Sequence, residues 1–253
     1  MITLRGKGAI IVGTKRVGEI IAQRLASEGI NLAIVYRSSK QEADRLNDSV
    51  KELAKRTTLV QGDLTSEEDV TRIVETATDE LGDLSFVVNL ASGFPRNSFD
   101  TLDGAAWDRA MSFAKGSYLL NVSAARHMMS NDGPTRGHIV QFSDWAAWDT
   151  PYKDYLPYLT AKAAIDFMTR GFAVELAEHG ILVNAIAPGP TMRPPEISED
   201  SWQRDVLDKA PLKRESSPHD MAEIIVSLLS SETITGQVIR VDSGRHLAGP
   251  GVE

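Results

Sequence analysis

The chain has 253 residues, 42% of them hydrophobic and 25% charged, enough to bury a sizeable core and still present a charged surface. Its net charge of −8 argues against nucleic acid or an anionic membrane as partner. With no cysteine there is neither a disulfide nor a thiolate metal site, and the chain reads as a cytoplasmic protein from a reducing compartment. No stretch approaches the roughly 20 apolar residues of a membrane span. The opening "MITLRGKGAIIVG" has too short an apolar run for a signal peptide and reads as a first strand.

Along the chain, short apolar runs alternate with amphipathic stretches. "AIIV" (Ala9–Val12) is a strand, followed by a helix over Val17–Glu28; Asn31–Tyr36 is a second strand, followed by a charged helix over Lys40–Arg56. "TTLV", a helix over Ser66–Glu80 and a strand over Leu84–Leu90 repeat the cycle. A long helix covers about Asp103–Ser130, then come a strand at His138–Phe142, a helix starting at Pro157 and a strand at Ile181–Ile186. A Pro-rich stretch (Pro188–Pro195), a polar helix, a helix over Pro218–Leu229 and a last strand at Gln237–Val241 complete the pattern. Continuous apolar strands separated by helices specify a parallel sheet covered on both faces: one α/β domain over 1–253, doubly wound and Rossmann-type.

The first turn reads "VGTKRVGEI", with Gly13 and Gly18 placed so that backbone amides and a helix N-terminus meet a pyrophosphate. Gly13, Lys15, Arg16, Val17 and Gly18 are therefore candidate cofactor contacts, and a solvated basic turn is the alternative. At the end of the second strand an acidic residue would select NAD. This chain has Arg37, Ser38 and Ser39 there, which suit the ribose 2′-phosphate of NADP. Asp63, with Leu64 beside it, ends the third strand, where its carboxylate either meets the adenine amino group or caps the following helix.

Three tyrosines compete for the role of acid in "QFSDWAAWDTPYKDYLPYLTAK". Proline suits the first turn of a helix, so one starts at Pro157 and puts Tyr158 and Lys162, four residues apart, on one face. Neither Tyr152 nor Tyr155 has a lysine at that spacing. An ammonium beside a phenol lowers its pKa, so Tyr158 is the expected acid, with Lys162 its electrostatic partner.

Tyr158-x-x-x-Lys162, "VNAIAPGPT" (Val183–Thr191), the "WDRAM" helix (Trp107–Met111) and "ITGQVIRVDSG" together resemble the short-chain dehydrogenase/reductase family over nearly the whole chain. The resemblance implies hydride transfer with a nicotinamide cofactor, with Pro188, Gly189 and Thr191 beside the nicotinamide and a mobile substrate lid over about 190–209. It also implies a homo-oligomer, often a tetramer built on the long helices.

Within that family, "VQFSD" places Asp144 at the usual catalytic serine and Ser143 one residue earlier, leaving either as the auxiliary group. Aspartate there is similar to pteridine reductases and dihydromonapterin reductases, as are the Lys-Arg-x-Gly turn, "NLASGF" (Asn89–Phe94) and "DSGRHL". That likeness implies cofactor contacts at Asn89 and Ala91. It also implies that Arg16, Ser92 and Phe94 touch substrate or phosphates, with Phe94 sandwiching a flat heterocycle; an apolar lid residue is the bland reading of Phe94. Three departures stand out. The phosphate turn is one residue short, Asp144 and Tyr158 are fourteen residues apart, one more than usual, and Ser112, Phe113 and Ala114 occupy the place of a catalytic asparagine. The chain thus reads as an NADPH-dependent reductase of a pterin- or dihydrofolate-like ring. A carbonyl or 3-oxoacyl reductase and a non-catalytic NADPH-binding sensor are the alternatives.

Overall fold

The computed structural model describes residues 2–13 and 15–248. Among these, seven strands form one parallel sheet: β1 (Gly8–Val12), β2 (Asn31–Tyr36), β3 (Thr57–Gln61), β4 (Phe86–Asn89), β5 (Gly137–Phe142), β6 (Ile181–Pro188) and β7 (Val238–Val241). Their spatial order is β3-β2-β1-β4-β5-β6-β7. The chain runs outward from β1 to β3 and then crosses back to lay β4 on the other side of β1, in register from Ala9 opposite Phe86 to Val12 opposite Asn89. This reversal opens a crevice at the carboxyl ends of β1 and β4, the place where doubly wound sheets receive ligands.

Among the described residues six α-helices cover the sheet, α1 (Val17–Ser27), α2 (Lys40–Val50), α3 (Glu67–Leu81), α4 (Gly104–Met128), α5 (Leu156–Glu175) and α7 (Pro218–Ser230), while the short α6 (Glu199–Asp205) belongs to the segment after β6 and buries no residue. Alternation along the strands feeds two cores. Ile11, Val88 and Val140 meet Ile21 and Leu25 of α1, Leu46 of α2 and Ile225 of α7 on one face. Ile10, Val87 and Ile139 meet Ile73 of α3, Leu120 of α4 and Ala173 of α5 on the other. Burying each large aliphatic side chain contributes about 1.5–3 kcal/mol, which explains why the strands read as unbroken apolar runs.

Side-chain caps start several helices: Ser66, Asp103, Ser198 and Ser217 each accept from the amide three residues on. Most boundaries fall within two residues of the sequence pattern, and two of the departures have a clear local setting. Helix α2 stops at Val50 rather than Arg56, because the amide of Arg56 is taken by Asn31 Oδ1 at 3.0 Å as the chain turns into β3. Pro157 is the second residue of α5, after Leu156, and its missing N–H is still harmless there.

Candidate active site

A cavity of about 1310 Å³ runs from the turn after β1 and the end of β2, across the carboxyl ends of β4 and β5, to the segment following β6. Every candidate residue named from the sequence lines it except Asn89. Asn89 points inward: its Nδ2 donates to Ser117 Oγ of α4 at 3.0 Å and its Oδ1 accepts from the Ala91 amide at 3.0 Å. Both polar atoms of its side chain are thus engaged, and Asn89 braces the loop after β4.

At the phosphate end Gly13 has φ 95°, and a Cβ on Gly18 would lie 1.7 Å from the Gly13 carbonyl oxygen. Only glycines let α1 begin this close to β1, and among the described residues no side chain caps the first amides of α1. Such a free helix N-terminus is what a pyrophosphate requires, so the residues present fit a dinucleotide. Lys15 Nζ sits 3.1 Å from Glu42 Oε1, and Arg16, at φ 55°, donates from Nη2 to the Met192 carbonyl at 2.7 Å.

Beyond β2, Arg37 has a 69% exposed side chain, with Nη1 3.7 Å from Asp63 Oδ2; Ser38 and Ser39 line the cavity beside it. Asp63 does not cap α3, since Ser66 does. Its Oδ1 accepts from the Thr65 amide at 2.9 Å and the Thr65 hydroxyl at 2.8 Å. These two bonds, and then Arg37, hold its carboxyl below the usual range. Leu64, Ala91 and Ser92 complete this wall, with the Ser92 hydroxyl on the Gly93 carbonyl at 3.0 Å.

At the far end α5 brings Tyr158 and Lys162 to the cavity on successive turns. The Tyr158 hydroxyl donates to Asp144 Oδ2 at 2.8 Å, and Asp144 Oδ1 accepts from the Ala146 amide at 2.9 Å. Lys162 is buried, donates to the Phe142 carbonyl at 2.8 Å, and lies 5.8 Å from the Tyr158 ring centre. Burial brings its ammonium down to about 8, against the opposing pull of Asp144 and Asp166. The Ser143 hydroxyl donates to the Lys162 carbonyl at 3.4 Å. The two neighbours thus separate: Asp144 meets the tyrosine and Ser143 meets the backbone of α5.

One electrostatic expectation is corrected. Lys162 does not pull Tyr158 down; burial, then the Asp144 charge, raises it well above the usual phenol value. Tyr158 therefore holds its proton. Asp144 is itself raised by burial, in spite of its hydrogen bonds and Lys162.

Sequence spacing missed the aromatic wall around this pair. Phe94, 58% exposed, stacks on Tyr155 with ring centres 4.3 Å apart and meets Tyr158 edge-on at 5.0 Å. Tyr152 donates to Asp144 Oδ2 at 3.2 Å, and Trp145 lies 6.0 Å from its ring. Only the density of aromatics in 142–158 hinted at such a cluster. Glu215 was also missed; its Oε1 accepts from the Arg193 amide at 3.2 Å and from Trp202 Nε1 at 2.7 Å, tying the segment after β6 in place. In that segment the Gly189 amide donates to the Val241 carbonyl at 2.9 Å, and the Thr191 hydroxyl turns back to the Gly189 carbonyl at 2.8 Å. Pro188 is the last residue of β6.

A parallel doubly wound sheet with a helix N-terminus at one end of its cavity and a tyrosine–lysine pair at the other defines a nicotinamide-dependent oxidoreductase architecture. The family described as Enoyl-(Acyl carrier protein) reductase matches residues 13–246. Glucose 1-dehydrogenase 2 of Bacillus subtilis (strain 168) is 31% identical over 255 residues, covering 96% of each chain. Among solved structures, FolM alternative dihydrofolate reductase 1 from Brucella canis, complexed with NADP, superposes with a TM-score of 0.85 at 30% identity over 96% of both chains. Acetoin dehydrogenase YohF from Salmonella typhimurium gives a TM-score of 0.84 at 28% identity, over 96% of this chain and 99% of its own. The chain belongs to the short-chain dehydrogenase/reductase family and is an oxidoreductase that uses a nicotinamide cofactor. Among the described residues no helix is long and apolar enough to cross a membrane.

Proposed function

We propose that this protein is an NADPH-dependent reductase of a planar, pterin- or dihydrofolate-like ring. The carrying observation is the 2.8 Å bond between Tyr158 and Asp144 in a buried site. A ketone reductase has to stabilise a developing alkoxide, and an ionised carboxylate beside the donor opposes that charge. A ring imine instead needs a proton on nitrogen and offers N–H groups to a carboxylate. The likeness to an alternative dihydrofolate reductase supports the same substrate class.

NADPH, when bound, supplies the hydride. The uncapped start of α1, with Lys15, Arg16, Val17 and Gly18, holds the pyrophosphate. Arg37, Ser38 and Ser39 receive the 2′-phosphate, and Asp63 with Leu64 borders the adenine. Lys162 anchors the ribose with its ammonium, while Pro188, Gly189 and Thr191 border the nicotinamide. Tyr158 gives its proton to the substrate ring, and Asp144, once protonated, replaces that proton. Phe94 offers its exposed ring to the substrate, with Ser92 beside it. Residues 190–209 form the substrate lid.

A carbonyl reductase is the second reading, favoured by the likeness to glucose and acetoin dehydrogenases. Steady-state kinetics on one dihydropterin and one ketone separate the two. Asp144→Ser depresses pterin reduction and leaves ketone reduction unchanged or improved. Phe94→Ala raises the pterin Kd by the equivalent of about 1–3 kcal/mol of stacking area. Absence of pterin turnover in the native enzyme, with ketone activity lost in both variants, transfers the assignment to carbonyl reduction.

We also propose a homo-oligomer built on α4 and α5, which expose Tyr118, Phe167 and Val174 to solvent. Light scattering at micromolar concentration tests this, and a monomer at all concentrations overturns it.

A further inference from the structure

We propose that Tyr152 is a positioning residue that biases where the proton sits on Asp144, and so whether Tyr158 offers the substrate a proton or a lone pair. This rests on the roles given above to Asp144 and Tyr158. Two phenol hydroxyls converge on one atom: Tyr158 and Tyr152 reach Asp144 Oδ2 at 2.8 and 3.2 Å. Oδ1 accepts from the Ala146 amide at 2.9 Å, so Oδ2 is the oxygen through which Asp144 exchanges a proton with Tyr158.

Each hydroxyl has one proton. While Asp144 is ionised, both tyrosines donate to it, and Tyr158 shows only lone pairs to the cavity. When Oδ2 is protonated it donates to Tyr158, whose own O–H is released toward the substrate, while Tyr152 continues to donate to the remaining lone pair of Oδ2. During reduction the Tyr158 proton passes to the ring nitrogen, the Oδ2 proton passes to the Tyr158 oxygen, and Asp144 ends ionised. Tyr152, unlike Tyr158, has no lysine one helical turn away, and it reaches the site from the loop between β5 and α5.

A hydrogen bond to the charged form of a carboxyl favours ionisation, so Tyr152 opposes the burial that raises Asp144. The other groups facing Asp144 are Tyr158 and Lys162 from α5. Tyr155 packs behind Tyr152 at 5.1 Å between ring centres, and Arg96 and Asp154 lie beyond it, paired at 2.7 Å. Lys162 also favours the ionised form, and Tyr152→Phe leaves it in place.

The test is a direct titration of the Asp144 carboxyl by carbon-13 NMR in full-length protein labelled at aspartate, assigned with Asp144→Asn. Tyr152→Phe should raise the midpoint by about one pH unit, the scale of one lost hydrogen bond to a charge. The alkaline limb of pterin reduction should move up by the same amount. Tyr155→Phe, which removes a hydroxyl not bonded to Asp144, should leave the midpoint in place. Replacing Tyr152 with 3-fluorotyrosine, a stronger donor of nearly the same shape, should lower it. That arm carries the test if Tyr152→Phe does not fold. An unchanged or lowered midpoint in Tyr152→Phe, or a raised one with 3-fluorotyrosine, overturns the proposal. The titration needs no turnover, so an absence of pterin activity removes the substrate reading separately from this one.

Discussion

Arg16 donates to the carbonyl oxygen of Met192 at 2.7 Å, joining the phosphate turn to the segment that closes the other side of the cavity. One guanidinium therefore serves two ends of the site. Arg16→Ala should weaken NADPH binding by about tenfold, as for one lost charge-assisted contact. It should also speed tryptic cleavage at Arg193 in the cofactor-free protein. Fluorescence titration with NADPH and a timed digest measure the two effects.

The Arg37 guanidinium makes a long, exposed pairing with Asp63 at 3.7 Å, which stabilises the protein little and is given up cheaply to a phosphate. NADPH should bind more tightly than NADH by about 2–3 kcal/mol, and Arg37→Ala should remove most of that difference. Calorimetry with both cofactors measures it; equal affinities in the native protein would remove the NADP assignment.

Tyr158→Phe keeps the ring and removes the proton, so reduction should fall by about 10²–10⁴-fold with little change in NADPH affinity. The pH profile should carry two signatures. Burial raises Asp144, so its proton persists above the ordinary carboxylate range, and reduction should decline as pH rises through that midpoint. Lys162 loses its charge as pH passes about 8, which adds a second decline. Asp144→Asn should abolish the first limb and retain the second in a plot of kcat/KM against pH.

His138 is buried in β5 against Phe86, with ring centres 5.9 Å apart, and neither ring nitrogen has a hydrogen-bond partner among the described residues. Burial lowers its pKa to about 4 from an ordinary value of 6.5. The unfolded chain then takes up a proton as pH falls through 6.5, and the folded chain does not until about 4. Stability contributed by neutral His138 is thus complete above the unfolded value and is lost between those limits, by on the order of 3 kcal/mol. Urea unfolding at pH 7 and pH 5 should show about 2 kcal/mol of this loss, and His138→Leu should reduce it while removing two unsatisfied polar atoms.

Much of the fold is legible in the sequence because its signals are local. Largely apolar runs such as Asn31–Tyr36 and Ile181–Ile186 are strands buried on both faces, and the helices between them oblige the strands to lie parallel. The Tyr158–Lys162 spacing is likewise a property of one helical turn, and Gly13 and Gly18 mark a close backbone approach wherever the rest of the chain goes. The loop from Ser143 to Tyr155 has no such period. Its course is set by hydrogen bonds to residues far along the chain, from the Ser143 amide to the Ile186 carbonyl at 2.8 Å and from the Trp145 amide to the Pro188 carbonyl at 3.2 Å. Those long-range bonds decide that Asp144 rather than Ser143 meets Tyr158, that Tyr152 joins it, and that a buried carboxylate outweighs the lysine in setting the tyrosine proton. The inward turn of Asn89 and the early end of α2 have the same origin, since partners on distant elements claim polar groups that the local pattern leaves unassigned.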